Sequence, residues 1–308
     1  MLFVVNAGDS TLSVFGIDKA DPTKLTPLGT PQNTMGLYPV SVAYSGHHKT
    51  ACVLNSAGQA NIACFSVSKK GLSPLSNSVR LLDVTQTNPP KSGVNTVSDI
   101  LFNHDHSRLL VSVKGDPAAT PGFIANFQIT TPFKLSQTAV KSTPDKAVFP
   151  FGMKLVGDSK DIVLDADPRF GVSVSKLSPV TGAIVSSSSL AIINQTAICW
   201  SSYSPSTGNF YLTDAGNAQL TEVSVSHQGP TVKLVSTKML EGIGGRIDQI
   251  VASTPIGDFL YVLAPTAGAV NVVKLGGVKK INEIQLYDVR SKVTGLSITM
   301  QGLAVFIK

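Results

Sequence analysis

Carboxamides and carboxylates close apolar runs throughout this sequence, and four of them occupy what reads as one recurring position: Asn6, Asn55, Asp165 and Asp214. Oxygen donors aimed from separate segments toward one axis suit a hard divalent cation, Ca2+ or Mg2+. A metal held there would polarise an ester carbonyl and acidify a bound water. The plainer reading is that Asn and Asp at strand ends close local turns with their own side chains. A second set pairs cations with acids: Lys114, Arg169 and Arg246 with Asp165 and Asp248. Cationic groups hold a carboxylate while a nearby carboxyl moves a proton. On that reasoning Asp165, Arg246 and Asp248 are the candidate catalytic residues, and Lys114, Arg169 and Trp200 the candidate substrate-binding ones. Their plainer alternatives are solvated loop charge and, for the single tryptophan, core packing. This chemistry requires no cofactor, a divalent cation being the optional addition.

Other chemistries find no footing. The 25 Lys and Arg against 19 Asp and Glu give a net charge of +6. They are scattered, the densest clusters being the pairs Lys69-Lys70 and Lys279-Lys280, so nucleic acid is not an expected partner. No apolar run reaches the roughly 18 residues of a spanning helix, so no membrane is expected either. Met1 to Asp9 reads as a strand and turn rather than a signal core, and location stays open between secreted and cytoplasmic. No Ser/His/Asp arrangement, phosphate loop or nucleotide fingerprint is present. Of the three cysteines, Cys52 and Cys64 flank the turn at Ala57-Gly58, where a hairpin would set them nearly opposite. They pair in an oxidising compartment or stay as two buried thiols.

The elements that position these groups are strands. Gly (26) and Pro (18) punctuate short runs rich in Val, Ile, Thr and Ser, and charged residues are only 14% of the chain. A unit of apolar strand, polar turn, second apolar strand, Gly/Asp/Asn turn and alternating third strand recurs about every 50 residues, a propeller-blade length. It is clearest in Val40–Asn55, Asp99–Val113 and Cys199–Asp214, with weaker copies at Phe151–Asp165 and Ile247–Ala264. The second strands close at Asn6, Asn55, Val113, Asp165, Asp214 and Ala264. Wrapping from Ala264 through the C-terminus to Asn6 gives the same period. One all-β propeller over residues 1–308 is therefore expected, with six four-stranded blades and Gly302–Ile307 as the innermost strand beside Leu2–Asn6. In such a ring the second-to-third strand turns share the channel face. His47, His48, His104 and His106 then fall in first-to-second strand turns on the opposite face, and His227 in a third-to-fourth turn. Exposed turn residues are the plain reading of all five, a His104/His106 metal pair the sharper one.

Four stretches resemble a known family: Val5-Asn6-Ala7-Gly8-Asp9-Ser10-Thr11-Leu12-Ser13-Val14-Phe15, Tyr38-Pro39-Val40-Ser41-Val42-Ala43, Phe149-Pro150-Phe151-Gly152 and Thr196-Ala197-Ile198-Cys199-Trp200. They are similar to the lactonase-type β-propellers of bacteria and fungi, the group of 6-phosphogluconolactonase and carboxymuconate cyclase. Members usually carry seven blades, so a seven-bladed ring lacking one repeat is the alternative to six. The resemblance implies a lactonase-like hydrolase or a cyclase/isomerase acting on a small carboxylated or cyclic ester substrate at the channel mouth. The family's Gly-Pro-Arg-His stretch before an inner strand is matched here by Val148-Phe149-Pro150-Phe151-Gly152, without Arg or His, so the cyclase mechanism does not carry over. The competing reading is a non-catalytic propeller that binds a small ligand or a protein on its channel face. Either way the expected ligand is a small anion or lactone, and the expected assembly a monomer.

Overall fold

The computed structural model describes residues 1–130, 133–157, 159–226, 229–293, 295 and 298–307. Their strands form six antiparallel sheets in chain order, with no α-helix among the described residues and one short 3-10 turn at Ser76–Ser78. The innermost strands of sheets two to six are Leu37–Ser45, Val97–Phe102, Met153–Leu155, Ile198–Ser204 and Asp248–Thr254. Each is followed by a strand sandwiched between neighbouring sheets. That is why Arg108–Val113, Ile162–Asp167 and Asn209–Asp214 are buried at every residue instead of alternating. The sequence pays for fold closure here by placing polar residues such as Asp165 in low dielectric. The outer strands are more open: Ile281–Asp288 is largely exposed, and Ile184–Ala191 is half-buried along most of its length.

Apolar side chains from facing sheets interdigitate between them. Leu54, Ile62, Leu109 and Phe127 join sheets two and three, Leu164, Val174, Phe210 and Val223 join four and five, and Tyr211, Leu220, Leu260 and Val273 join five and six. Two arginines add polar staples at the rim. Arg80 donates from Nε to the Ser136 carbonyl (2.6 Å), and Arg108 from Nη2 to those of Pro179 (2.9 Å) and Val180 (3.0 Å). Each guanidinium thus ties its own sheet to the outer hairpin of the next by donating to that hairpin's carbonyls.

Cys52 and Cys64 are joined in a disulfide, their Cα atoms 4.0 Å apart. Twelve residues of extended strand would span about 40 Å. Strand Thr50–Ser68 therefore doubles back on itself, and Gly58 supplies the left-handed φ of +61° that the reversal needs.

The six sheets agree with the expected propeller, and the closure does not. Sheet one has Leu2–Asn6, Thr11–Ile17 and an outer rank split into Leu25–Pro27 and Gln32–Asn33. Gly302–Ile307 forms no strand and pairs with nothing in Leu2–Asn6. Instead residues 303–306 lie over sheet six, where Ile250, Tyr261, Val272 and Tyr287 present an apolar face, and a cavity of about 380 Å³ separates the two. The physical reason is competition. Sheet six offers an apolar surface that no buried cluster from sheet one covers among the described residues, together with the carboxylate of Asp248, to which the Leu303 N–H donates (2.6 Å).

Candidate functional site

The innermost strands converge on the axis, and three of them bring ionisable groups together. Asp99 of sheet three accepts the Ser41 hydroxyl from sheet two (3.0 Å), the Met153 N–H from sheet four (2.9 Å) and the Ile100 N–H (2.8 Å). Burial raises its pKa, and these donors together with the Lys154 ammonium pull against that rise. Across the axis Asp248 of sheet six accepts the Gln249 N–H on Oδ1 (2.7 Å) and the Leu303 N–H on Oδ2. Burial lifts its pKa to about 6; the two N–H groups and Lys154 oppose the rise, and Asp99 adds to it. Lys154 itself is exposed toward the axis. A carboxyl with a pKa of about 6, mostly ionised at neutral pH and beside an ammonium, is a general base poised for use.

Asp165 lies beneath this cluster on the second strand of sheet four, 1% exposed. Neither of its carboxyl oxygens has a hydrogen-bond partner, and the Phe151 N–H beside it is committed to the Ala166 carbonyl (2.8 Å). Burial first, then the charges of Asp167 and Asp99, push its pKa well above the usual carboxylate value. It is held neutral. Asp165 is also not the counterpart of Asp214, as the repeat suggested. Asp167 is, because both end their strands and accept N–H groups from the connection entering their own sheet, Val148 and Phe149 (2.8 Å each) for Asp167, Thr196 (2.6 Å) and Ala197 (2.8 Å) for Asp214.

The raised carboxyl of Asp248 has a consequence for stability. A carboxyl whose folded pKa exceeds the unfolded value of 3.8 favours the folded state fully below that value and loses the advantage as pH rises through the folded pKa, here about 6. Asp248→Asn removes the titration at the fixed cost of one acceptor. The stability difference between variant and parent is therefore expected to move in the variant's favour by up to about 3 kcal/mol from pH 4 to pH 7.5. Chemical denaturation of both proteins across that range checks it. Parallel curves would refute the raised pKa.

At the channel-side ends of the second strands a smaller group forms. The Lys114 ammonium stands 4.6 Å above the Phe151 ring, and Phe151 meets Trp200 edge to face at 5.2 Å. Burial lowers the Lys114 pKa to about 8, and burial raises that of its neighbour Cys199 to about 12. Arg169 is exposed, its guanidinium 5.7 Å from the Phe149 ring, with its backbone N–H on Asp167 Oδ1 (2.9 Å). The structure thus brings Lys114 and Trp200 together through Phe151.

Arg246 is a correction. It is 0% exposed, and its guanidinium donates to Asn271 Oδ1 (2.9 Å) and to the carbonyls of Gly244 (2.5 Å), Glu241 (2.5 Å), Gly242 (3.2 Å) and Ile243 (3.4 Å). With its donors spent on its own loop, it has none to offer a substrate. Of the oxygen set Asn6, Asn55, Asp165 and Asp214, the Asp214 carboxylate is engaged, while Asn55 Oδ1 and both Asp165 oxygens are buried without a hydrogen-bond partner. Asn6 donates to Thr11 and Ser13, Asn55 donates to the Thr34 carbonyl and to Asn61, and Asp214 accepts four backbone N–H groups. Among the described residues no three His, Cys, Asp or Glu side chains converge to hold a metal. Of the histidines, His47, His48, His104 and His106 lie in first-to-second strand turns, and His227 lies outside the described residues. Sequence reasoning missed Asp99, Lys154 and Phe151 as site residues. A signal existed: Ser41, Asp99 and Trp200 each stand four residues before the turn residues Ser45, Asn103 and Ser204, so polar or aromatic groups recur at one inner-strand position.

No protein-family model and no curated protein matches the sequence. Solved structures do match the fold. A candidate 6-phosphogluconolactonase from Bacteroides uniformis superposes with a TM-score of 0.71 at 14% identity, over 93% of this chain and 82% of that one. Its counterpart from Bacteroides fragilis gives 0.67 at 18% identity, over 91% and 76%. A periplasmic gluconolactonase from Pseudomonas aeruginosa gives 0.54 at 13% identity, over 94% and 95%. No helix among the described residues is long and apolar enough to cross a membrane. The chain shares the β-propeller fold of these structures.

Proposed function

We propose that the protein hydrolyses a small lactone at the axis of the propeller, with Asp248 as general base and Lys154 as the charge that stabilises the reacting carbonyl oxygen. The observation that carries this reading is the Asp248 carboxyl, poised near pH 6 by burial and flanked by the Lys154 ammonium from another sheet. Asp248 takes a proton from water as the water oxygen bonds to the lactone carbonyl carbon. Negative charge collects on the carbonyl oxygen, where Lys154 opposes it. When the tetrahedral intermediate collapses, the ring C–O bond breaks and the departing alkoxide takes the proton back from Asp248. The product is an open hydroxy acid, with atoms and charge balanced and no step through a metal. Lys114, whose ammonium makes no ion pair or hydrogen bond among the described residues and stands over the Phe151 ring, is placed to hold a carboxylate on the substrate or on that product.

The similarity in fold to structures named for lactonases supports this reading without choosing the substrate. A lactone panel followed by proton release, run on the parent and on Asp248→Asn, tests it. Turnover of at least one lactone that the variant loses is expected. If no lactone is turned over, the reading fails, and binding of the same panel by calorimetry then decides for a non-catalytic ligand-binding propeller.

A further inference from the structure

Sheet six has two faces, and the lactone chemistry uses only the inner end of one of them. Residues two apart on a strand share a face, so Asp248 and Ile250 lie on the same side of Asp248–Thr254. Cross-strand pairing carries that side outward from Ile250 to Tyr261, Val272 and Gln285 in turn. Leu260, Val262 and Val273 point the other way, into the contact with sheet five. Residues 303–306 cross over the first side, and the cavity of about 380 Å³ beneath them is lined by apolar side chains, with Gln285 and the hydroxyls of Tyr261 and Tyr287 as its polar groups. Leu303 belongs to both places, because its N–H donates to Asp248 Oδ2 at 2.6 Å and the residue also lines the cavity. The far end, at Gln285 and Tyr287 on the outermost strand, is exposed.

We propose, resting on the lactone reading of Asp248, that this cavity holds an apolar substituent of the substrate, which makes the substrate an alkyl-substituted lactone and not a sugar lactone. The volume lies within the range of about 300–1,000 Å³ typical of small-molecule sites. The lining selects by polarity. An alkyl chain leaves no hydrogen bond unmet there, whereas the hydroxyls of a sugar ring would find only Gln285 and two phenols, and every polar group buried without a partner weakens binding. Position ties the cavity to the chemistry. It begins at Leu303, the residue that donates to Asp248, and passes over Ile250, the next residue on the same face as that carboxylate. A lactone whose carbonyl carbon faces a water activated by Asp248 therefore directs its ring substituent over Ile250 toward Tyr261 and Val272. The sheet forms the floor and residues 303–306 the roof, so the chain is enclosed on two sides, and its tip meets solvent at Gln285.

The test follows hydrolysis by the full chain of γ-butyrolactones that carry methyl, propyl, butyl or hexyl groups on the γ carbon, with gluconolactone as the polar control. Calorimetry with the matching 2-alkylcyclopentanones, whose rings bear the same tails and cannot be hydrolysed, reads binding separately. In the parent, kcat/KM is expected to rise roughly threefold to fourfold per added methylene until the cavity is full, with the hexyl lactone preferred over gluconolactone. The gain should lie in KM, because the tail is held alike in the ground and transition states. Val270→Phe fills the cavity from the sheet side, and Phe306→Ala removes part of its roof. Phe306 is 42% exposed, so its truncation leaves the fold intact. Each change should cut the hexyl-to-methyl ratio of kcat/KM by about tenfold or more. A flat chain-length series in a parent that hydrolyses lactones, a parental ratio in both variants, or a preference for gluconolactone would each overturn the proposal while leaving Asp248 as the base. If no lactone is turned over, the hydrolase reading fails by itself. Hexylcyclopentanone binding about tenfold or more tighter than methylcyclopentanone, with the difference lost in Phe306→Ala, then still supports the cavity as the tail site, and equal binding overturns it.

Discussion

Arg246→Ala is expected to cost about 3–5 kcal/mol of stability and to lower the Tm by roughly 6–15 °C, while leaving the affinity of the folded protein for any axial ligand unchanged. The argument is one of satisfied groups. Arg246 is fully buried, and its guanidinium is the donor for the carbonyls of Glu241, Gly242, Ile243 and Gly244 and for Asn271. Removing it strands several acceptors away from water, each a penalty of about 1–3 kcal/mol unless the loop opens to solvent. It also leaves a cavity where the arginine stem packed. Loop opening is therefore the expected relief, visible as faster hydrogen exchange over residues 240–246. Arg246→Lys keeps the charge but has three donors on a flexible stem in place of a planar fork, and should recover less than half of the loss. A Tm within about 2 °C of the parent for Arg246→Ala would show that the guanidinium is solvated and free, against the contacts described above.

Asp248→Asn is expected to lower kcat for lactone hydrolysis by about 10²–10⁴-fold with the fold intact, the range for loss of a general base. In the parent, kcat/KM should rise through pH 6 and level off, because only the carboxylate accepts the water proton and its pKa stands at about 6. Leu303→Pro adds an independent handle. The Leu303 N–H donates to Asp248 Oδ2, and a donor to the charged form lowers a carboxyl pKa. Proline removes that donor, so the inflection should move to higher pH while the plateau rate persists. A folded Asp248→Asn enzyme with parental turnover excludes Asp248 as the base. An unmoved inflection in Leu303→Pro would place the titrating group elsewhere.

The propeller was legible in the sequence because its signal is local and repeated. Each blade needs apolar second strands, and the turns between them need Gly, Asp and Asn, so Arg108–Val113 and Asn209–Asp214 announce themselves every 50 residues or so. The positions of the histidines in first-to-second strand turns followed from the same pattern. Asp248 was readable as a channel residue because it opens an inner strand, and Cys52 and Cys64 as potential partners because they flank one turn.

What the sequence left open depends on contacts between repeats, which spacing does not encode. The roles of Arg246 and Lys154 could not be separated by residue type. One points its donors into the loop before it and the other toward the axis, and only the packed backbone decides which. Asp165 and Asp167 differ by two places on one strand and so share a face. The Val148 and Phe149 N–H groups of the connection entering sheet four reach Asp167, and both carboxyl oxygens of Asp165 are left without a hydrogen-bond partner. The course of residues 303–306 was decided by an apolar face on sheet six and by the Asp248 carboxylate, not by their own strand-like pattern. The meeting of His47 and His48 with His106 likewise required two sheets to pack, since 58 residues of chain separate His48 from the carbonyl it contacts. Local periodicity determined the blades; burial and hydrogen-bond competition between them decided the site.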